Sequence, residues 1–226
     1  MRNHHAAELA ALAALLADET RAAFCLALLD GRAWTAGELA RHAGVAPSTT
    51  TEHLNRLIEG GLLVGERQGR HRYVRLASDQ VATLVEDLSS HQAPSEQAST
   101  LRQSTKQAAL ARARTCYDHL AGQLGVAVTD AMTRAGYLDQ EHGFALTDAG
   151  LRWLTGPLGV DPATLQPARR PLARPCLDWT ERRPHLGGLA GARLCERALQ
   201  QRWVERIGTG RAVRLTRAGE RTLLTA

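Results

Sequence analysis

Paired cysteines are missing from this sequence. Cys25, Cys116, Cys176 and Cys195 are spread along 226 residues with no Cys-x-x-Cys pair, which argues against a disulfide framework or a zinc ribbon and fits a reducing compartment. Long hydrophobic runs are missing too. The apolar stretch over residues 6–17 is interrupted by Glu8, preceded by a single Arg2 and followed by no cleavage-like segment, so it reads as neither a signal peptide nor a membrane span. No Gly-x-Gly-x-x-Gly follows a predicted strand, which disfavours a dinucleotide fold, and no nucleophile, base and orienting residue group together as an enzyme would need. A cytoplasmic chain that is not an enzyme and does not touch membranes is expected.

Charge is present but unevenly placed. The whole chain carries a formal +5, yet residues 1–90 hold nine Arg and no Lys against eleven acids, a sum of −2, leaving +7 for residues 91–226. A front domain that met DNA would have to do so through a local cluster, because net charge governs association and not fold. Such a cluster exists: Arg67, Arg70, His71, Arg72 and Arg75 lie within nine residues containing no acid.

Helical spacing of Leu9, Leu12, Leu15 and Leu16 predicts one scaffold helix, and residues 20–29 a second. Thr35 with Glu38 three residues on forms a capping box for a short helix over 35–42. A Gly-Val-Ala-Pro-Ser turn at 44–48 leads into a helix to about residue 59, with Pro47 tolerated in its first turn. Two helices joined by a short Gly-containing turn make a helix-turn-helix. Apolar runs at 62–64 and 73–76 flank a polar segment at 68–70, a β-hairpin wing, and a helix over 79–88 follows. Ser48, Thr49, Thr50, Thr51, His53, Asn55 and Arg56 are candidates for base and phosphate contact on the second helix, and Arg67, Arg70, His71 and Arg72 on the wing.

The strings Glu19-Thr20-Arg21, Thr35-Ala-Gly-Glu-Leu-Ala, Ala46-Pro-Ser-Thr-Thr-Thr-Glu-His-Leu-Asn-Arg-Leu-Ile-Glu-Gly-Gly-Leu-Leu and Gly65-Glu-Arg-Gln-Gly-Arg-His-Arg-Tyr-Val-Arg-Leu occur in that order. Over about residues 5–90 the chain resembles the arsenic-repressor-type (ArsR) winged-helix regulators. That resemblance implies a homodimer on double-stranded DNA, paired through residues 9–16 and 81–88, that releases DNA when an effector binds. The helix before the turn lacks the Cys pair of many metal-sensing members, and the helix after the wing lacks their Asp-x-His pattern, so signal input is expected in the back half.

The expected fold is mainly α with small hairpin wings (α+β). It comprises a winged helix-turn-helix over 1–90, a polar linker over 91–100, and a C-terminal effector or dimer-stabilising domain over 101–226. In that domain a helix over 101–124 precedes two helix-hairpin-helix repeats resembling winged helices, residues 132–150 and 199–219, separated by a Pro-rich irregular stretch over 157–185. Two constellations stand out there. Cys116 and His119, one face of that helix, could join Cys176 and His185 to give zinc or another soft metal four ligands; plain packing of Cys116 among Leu110, Ala113 and Leu120 is the preferred reading. Asp178, Arg182, Arg183 and His185 beside Gly187 and Gly188 could hold an anionic small molecule; an ion-pair network around Trp179 is preferred. The expected function is a homodimeric repressor of transcription. The alternatives are a protein-interaction module built of winged repeats and a small-molecule-processing enzyme fused to a DNA-binding domain.

Overall fold

The computed structural model describes residues 4–68, 71–91, 101–166, 170–208 and 210–224. The chain divides into two compact units, residues 1–85 and 86–226.

The first unit runs α1 (His4–Leu16), α2 (Glu19–Leu28), β1 (Trp34–Thr35), α3 (Ala36–Ala43), α4 (Pro47–Glu59), β2 (Leu63–Gln68) and β3 (His71–Leu76), and the chain passes into the second unit within α5 (Asp79–Ser90). Local chemistry sets these boundaries. Asp18 caps α2 by accepting from the Arg21 amide. Both halves of the Thr35–Glu38 capping box form at the head of α3, and Gly44 ends that helix in the left-handed conformation, φ 69°. Pro47 opens α4, where its missing amide costs nothing. The wing pairs antiparallel from Leu63 opposite Leu76 to Gln68 opposite His71. A third strand, β1, pairs with β3 and was not expected; two residues are too few to show alternation, and it is the side chain of Asp30, accepting from the Trp34 indole at 3.0 Å, that anchors it. Phe24, Leu28, Leu39, Leu54, Leu57, Leu62, Leu63, Val74 and Leu76 are buried.

The second unit contains α6 (Leu101–Arg112), β4 (Arg114–Cys116), β5 (His119–Ala121), α7 (Gly122–Arg134), β6 (Leu138–Asp139), β7 (Ala145–Leu146), α8 (Asp148–Thr155), a 3-10 turn (Pro162–Leu165), β8 (Arg174–Leu177), β9 (Pro184–Gly187), α9 (Gly188–Gln200), β10 (Val204–Arg206), β11 (Val213–Leu215) and α10 (Arg217–Leu223). The single helix expected over 101–124 is therefore corrected: it stops at Arg112, and a β-hairpin takes residues 114–121. Long-range bonding decides this, since the Thr115 amide donates to Arg211 O at 2.9 Å and Gly122 turns at φ 73° where a helix would continue. The Pro-rich stretch is also more regular than expected. Its last part forms the β8–β9 hairpin, and a sheet of two strands has only edges, so it accommodates Pro175 and Pro184.

Each half of the unit repeats the order hairpin, helix, hairpin, helix, which extends the expected repeat backwards by one hairpin. Thr147 and Thr216 cap α8 and α10 alike, each accepting from a glycine amide three residues on. The two halves share one hydrophobic core, in which Leu124, Val128 and Met132 of α7 lie with Leu194 and Ala198 of α9.

Candidate nucleic-acid interface and a buried cysteine-histidine cluster

On α4 the helical period turns Thr50, Leu54 and Leu57 into the core and leaves Ser48, Thr49, Thr51 and Arg56 exposed. The expectation that Thr50 meets DNA is corrected: it is fully buried, and its hydroxyl donates to Ala46 O at 3.0 Å. The outward hydroxyl row is thus Ser48, Thr49 and Thr51, with Thr51 donating back to Pro47 O at 2.9 Å. His53 is half-buried against Arg21 (3.3 Å) and Asp18 (3.6 Å), away from that row. Arg21 itself donates to Leu15 O and Ala14 O and so ties α1 to α2. The Asp18 carboxyl is held below the usual carboxylate range by the Arg21 amide first, then by the charges of Arg21 and His53, which together outweigh its partial burial.

The wing stands beside this helix. Arg72 donates to Asn55 Oδ1 at 2.9 Å, a bond that fixes wing to helix and does not use the Asn55 amide nitrogen. Arg67 is exposed on β2, and Arg56 pairs with Glu52 at 2.7 Å on the open face. His71 pairs with Gln68 through the backbone, and Arg70 lies outside the described residues.

In the second unit, both hairpins present the same two residue types to the same place. Cys116 lies directly opposite His119 across β4–β5, and Cys176 directly opposite His185 across β8–β9. Facing residues of an antiparallel pair project from one side, so each hairpin offers a thiol and an imidazole together. The glycines at the heads of the following helices let the halves interlock: Gly125 of α7 packs against His185 Cβ, and Gly191 of α9 against His119 Cβ. One donor atom from each of Cys116, His119, Cys176 and His185 lies within 4.8 Å of every other, and all four side chains are buried. Nε2 of both histidines lacks any hydrogen-bond partner. Nδ1 of His119 lies 3.2 Å from Asp118 Oδ1, and Asp118 is held in turn by Arg170 at 2.9 Å. Nδ1 of His185 lies 3.3 Å from Asp178 Oδ2, though not aligned for a hydrogen bond.

Electrostatics in the cluster are strained by burial. Burial pushes the Cys116 thiol up. Cys176 is pulled down despite its burial, first by the Cys116 thiol and then by the imidazoles of His119 and His185 beside it. Burial opposes charge on His119, but its bond to Asp118, with Cys176 and Glu86 near, raises it to about 10. Burial lowers His185 and lifts Glu86 to about 7, and Glu86 Oε2 lies 3.7 Å from Cys176 Sγ.

The residues considered for an anionic effector are engaged internally. Asp178 accepts from Arg114 Nη2 (2.9 Å), the Gly122 amide (2.6 Å) and the Thr180 hydroxyl (2.7 Å), and Arg183 pairs with Asp130 at 2.7 Å. Arg182 takes the left-handed conformation at φ 56° in the loop between β8 and β9. The guanidinium over Trp179 belongs to Arg114, 4.7 Å from the ring. Arg114 stands two residues before Cys116 as Arg174 stands two before Cys176, so a repeated Arg-x-Cys-x-Asp marks it in the chain. The Cys-x-Asp that opens each hairpin (Cys116, Asp118; Cys176, Asp178) and the His-Leu-x-Gly-x-x-Gly that closes it, from His119 and from His185, are the signals in the chain that point to the cluster.

A helix-turn-helix domain family matches residues 16–66. The uncharacterized HTH-type transcriptional regulator YdfF of Bacillus subtilis (strain 168) is 39% identical over 213 residues, 94% of this chain and 93% of that protein. The chain belongs to the HTH-type transcriptional regulators. Its likeness to YdfF spans both units, so this regulator shares more than a winged helix with that relative. The HTH-type transcriptional regulator CmtR of Mycobacterium tuberculosis (strain ATCC 25618 / H37Rv) is 39% identical over 80 residues, 35% of this chain and 67% of CmtR. Among solved structures, the transcriptional repressor BigR from Xylella fastidiosa is 26% identical, covering 41% of this chain and 93% of its own, with a TM-score of 0.37. The regulator binds DNA through a winged helix-turn-helix. No helix among its described residues is long and apolar enough to cross a membrane.

Proposed function

We propose that this regulator is a homodimeric repressor whose α4 lies in the major groove of duplex DNA while the wing grips the backbone, and that a signal received in the second unit releases it. The observation that carries this reading is the outward row Ser48, Thr49, Thr51 and Arg56 beside a wing bearing Arg67 and Arg72, with the inward face of the same helix locked by Leu54 and Leu57. Short hydroxyls at a helix start suit base edges and phosphates, and arginines on a ribbon suit the sugar-phosphate chain. Pairing of two copies accounts for apolar side chains on the helices named for it: Leu9 of α1 is 67% exposed and Leu88 of α5 is 49% exposed.

Salt dependence tests the interface. On a duplex selected from random sequence, Arg67→Ala and Arg72→Ala should each weaken binding and flatten the plot of log affinity against log salt by about 0.9 for each phosphate no longer neutralised. The salt range of about 50 to 200 mM would then cost each variant roughly 3-fold less affinity than it costs the parent. An unchanged slope in both variants would instead favour winged units that bind protein.

A further inference from the structure

We propose that Cys116, His119, Cys176 and His185 form a tetrahedral site for a zinc-class divalent cation, bound by two thiolate sulfurs and the Nε2 atoms of two imidazoles. Four independent features of the structure converge on it.

The first is composition and spacing. Two sulfurs and two imidazoles are the donor set that zinc accepts in closed sites, and the donor atoms already lie within 4.8 Å of one another. Ligands about 2.0–2.3 Å from a tetrahedral centre stand about 3.3–3.8 Å apart, so closing on an ion needs side-chain shifts on the order of 1 Å. The second is that both Nε2 atoms are buried and unpartnered, on side chains that are 1% and 0% exposed. Such orphaned groups are rare because each costs the desolvation of a polar atom, and an ion between them would satisfy both.

The third is the setting of the rings. Each histidine turns Nδ1 toward a carboxylate, His119 toward Asp118 and His185 toward Asp178. The carboxylate bonded to Nδ1 of His119 fixes the tautomer that leaves the Nε2 lone pair free to ligate and strengthens it, and Asp178 stands close enough to Nδ1 of His185 to do the same once that ring turns onto an ion. The fourth is symmetry: one Cys-His pair comes from the equivalent hairpin of each half. The ion would therefore stitch the two halves together at the point where Gly125 and Gly191 bring them into contact. Two thiolates balance the charge of a divalent ion, so the bound state is close to neutral where it is buried. Binding sends two protons from the ligand set to solvent.

Loading of the reduced full-length chain is the test, and it needs no DNA. Purified under reducing conditions, the protein should carry one zinc per chain. After chelation it should take up one cobalt, with the visible bands of four-coordinate cobalt and a sulfur-to-cobalt charge-transfer band. X-ray absorption on the zinc form should give two sulfurs near about 2.3 Å and two nitrogens near about 2.0–2.1 Å; this measurement uses the unaltered chain, so it holds even if variants misfold. Cys116→Ser and Cys176→Ser should each lose about half the charge-transfer intensity, Cys195→Ala should lose none, and Asp118→Asn should weaken zinc binding about 10- to 100-fold. The proposal is overturned by a reduced chain that takes up no stoichiometric zinc or cobalt, by an all-oxygen or six-coordinate cobalt spectrum, or by a Cys116–Cys176 disulfide in protein prepared without air.

Discussion

Replacing Arg114 by methionine removes the guanidinium that lies between Asp178 and Trp179 while keeping most of the aliphatic stem. Both charged side chains are wholly buried and 2.9 Å apart. Arg114 also donates to Leu110 O at 3.1 Å and lies over Trp179. Breaking a buried pair by deleting one partner typically costs about 3–5 kcal/mol, because the remaining charge is left without compensation. Here Asp178 keeps the Gly122 and Thr180 amides and the Thr180 hydroxyl, so the lower end, about 3 kcal/mol, is expected. With a urea slope of about 2 kcal/mol per molar, the unfolding midpoint should fall by roughly 1.5 M. Tryptophan fluorescence reads the correct unit, since Trp153, Trp179 and Trp203 lie in the second and only Trp34 in the first. Arg114→Met with Asp178→Asn should recover most of the loss, the buried charge having gone with its partner. A single-variant cost under about 1 kcal/mol, as for solvent-screened pairs, would refute the reasoning, and so would a double variant no better than the single.

Three further outcomes are expected. Leu9→Glu and Leu88→Glu, made separately, should each shift the sedimentation of the full chain from dimer to monomer; a dimer unchanged by both would place the seam elsewhere. Gly191→Ala brings a Cβ to 2.3 Å from Leu186 O and 3.2 Å from His119 Cβ, contacts that only backbone movement relieves, so the second unit should lose about 1–3 kcal/mol or more in urea. Asp18→Ala should lower the stability of the first unit by about 1 kcal/mol through loss of the α2 cap. Because the Asp18 carboxyl is held below its ordinary value in the folded chain, its contribution is complete above about pH 4 and drains away in acid, so parent and variant should converge there.

The sequence alone determined the first unit nearly to its boundaries, and the reason is that its signals are local. A capping box closes between Thr35 and Glu38, a proline starts α4, and apolar positions recur at the helical period, all within a few residues of what they specify. One position there was legible but overlooked: Thr50 stands four residues before Leu54 and seven before Leu57, so the helical period turns it inward from a run of four hydroxyl residues. The second unit is legible only in part, because its decisive contacts join residues far apart. The helix that spacing suggested through Cys116 gives way to a strand held by Arg211, and Arg114 finds Asp178 from 64 positions away. Cys116 and His119 meet across a hairpin and not along a helix, and Cys176 and His185 reach them only because two copies of one motif pack together on glycine. The residue types that could hold a metal were written in the chain; their convergence was decided by the tertiary fold.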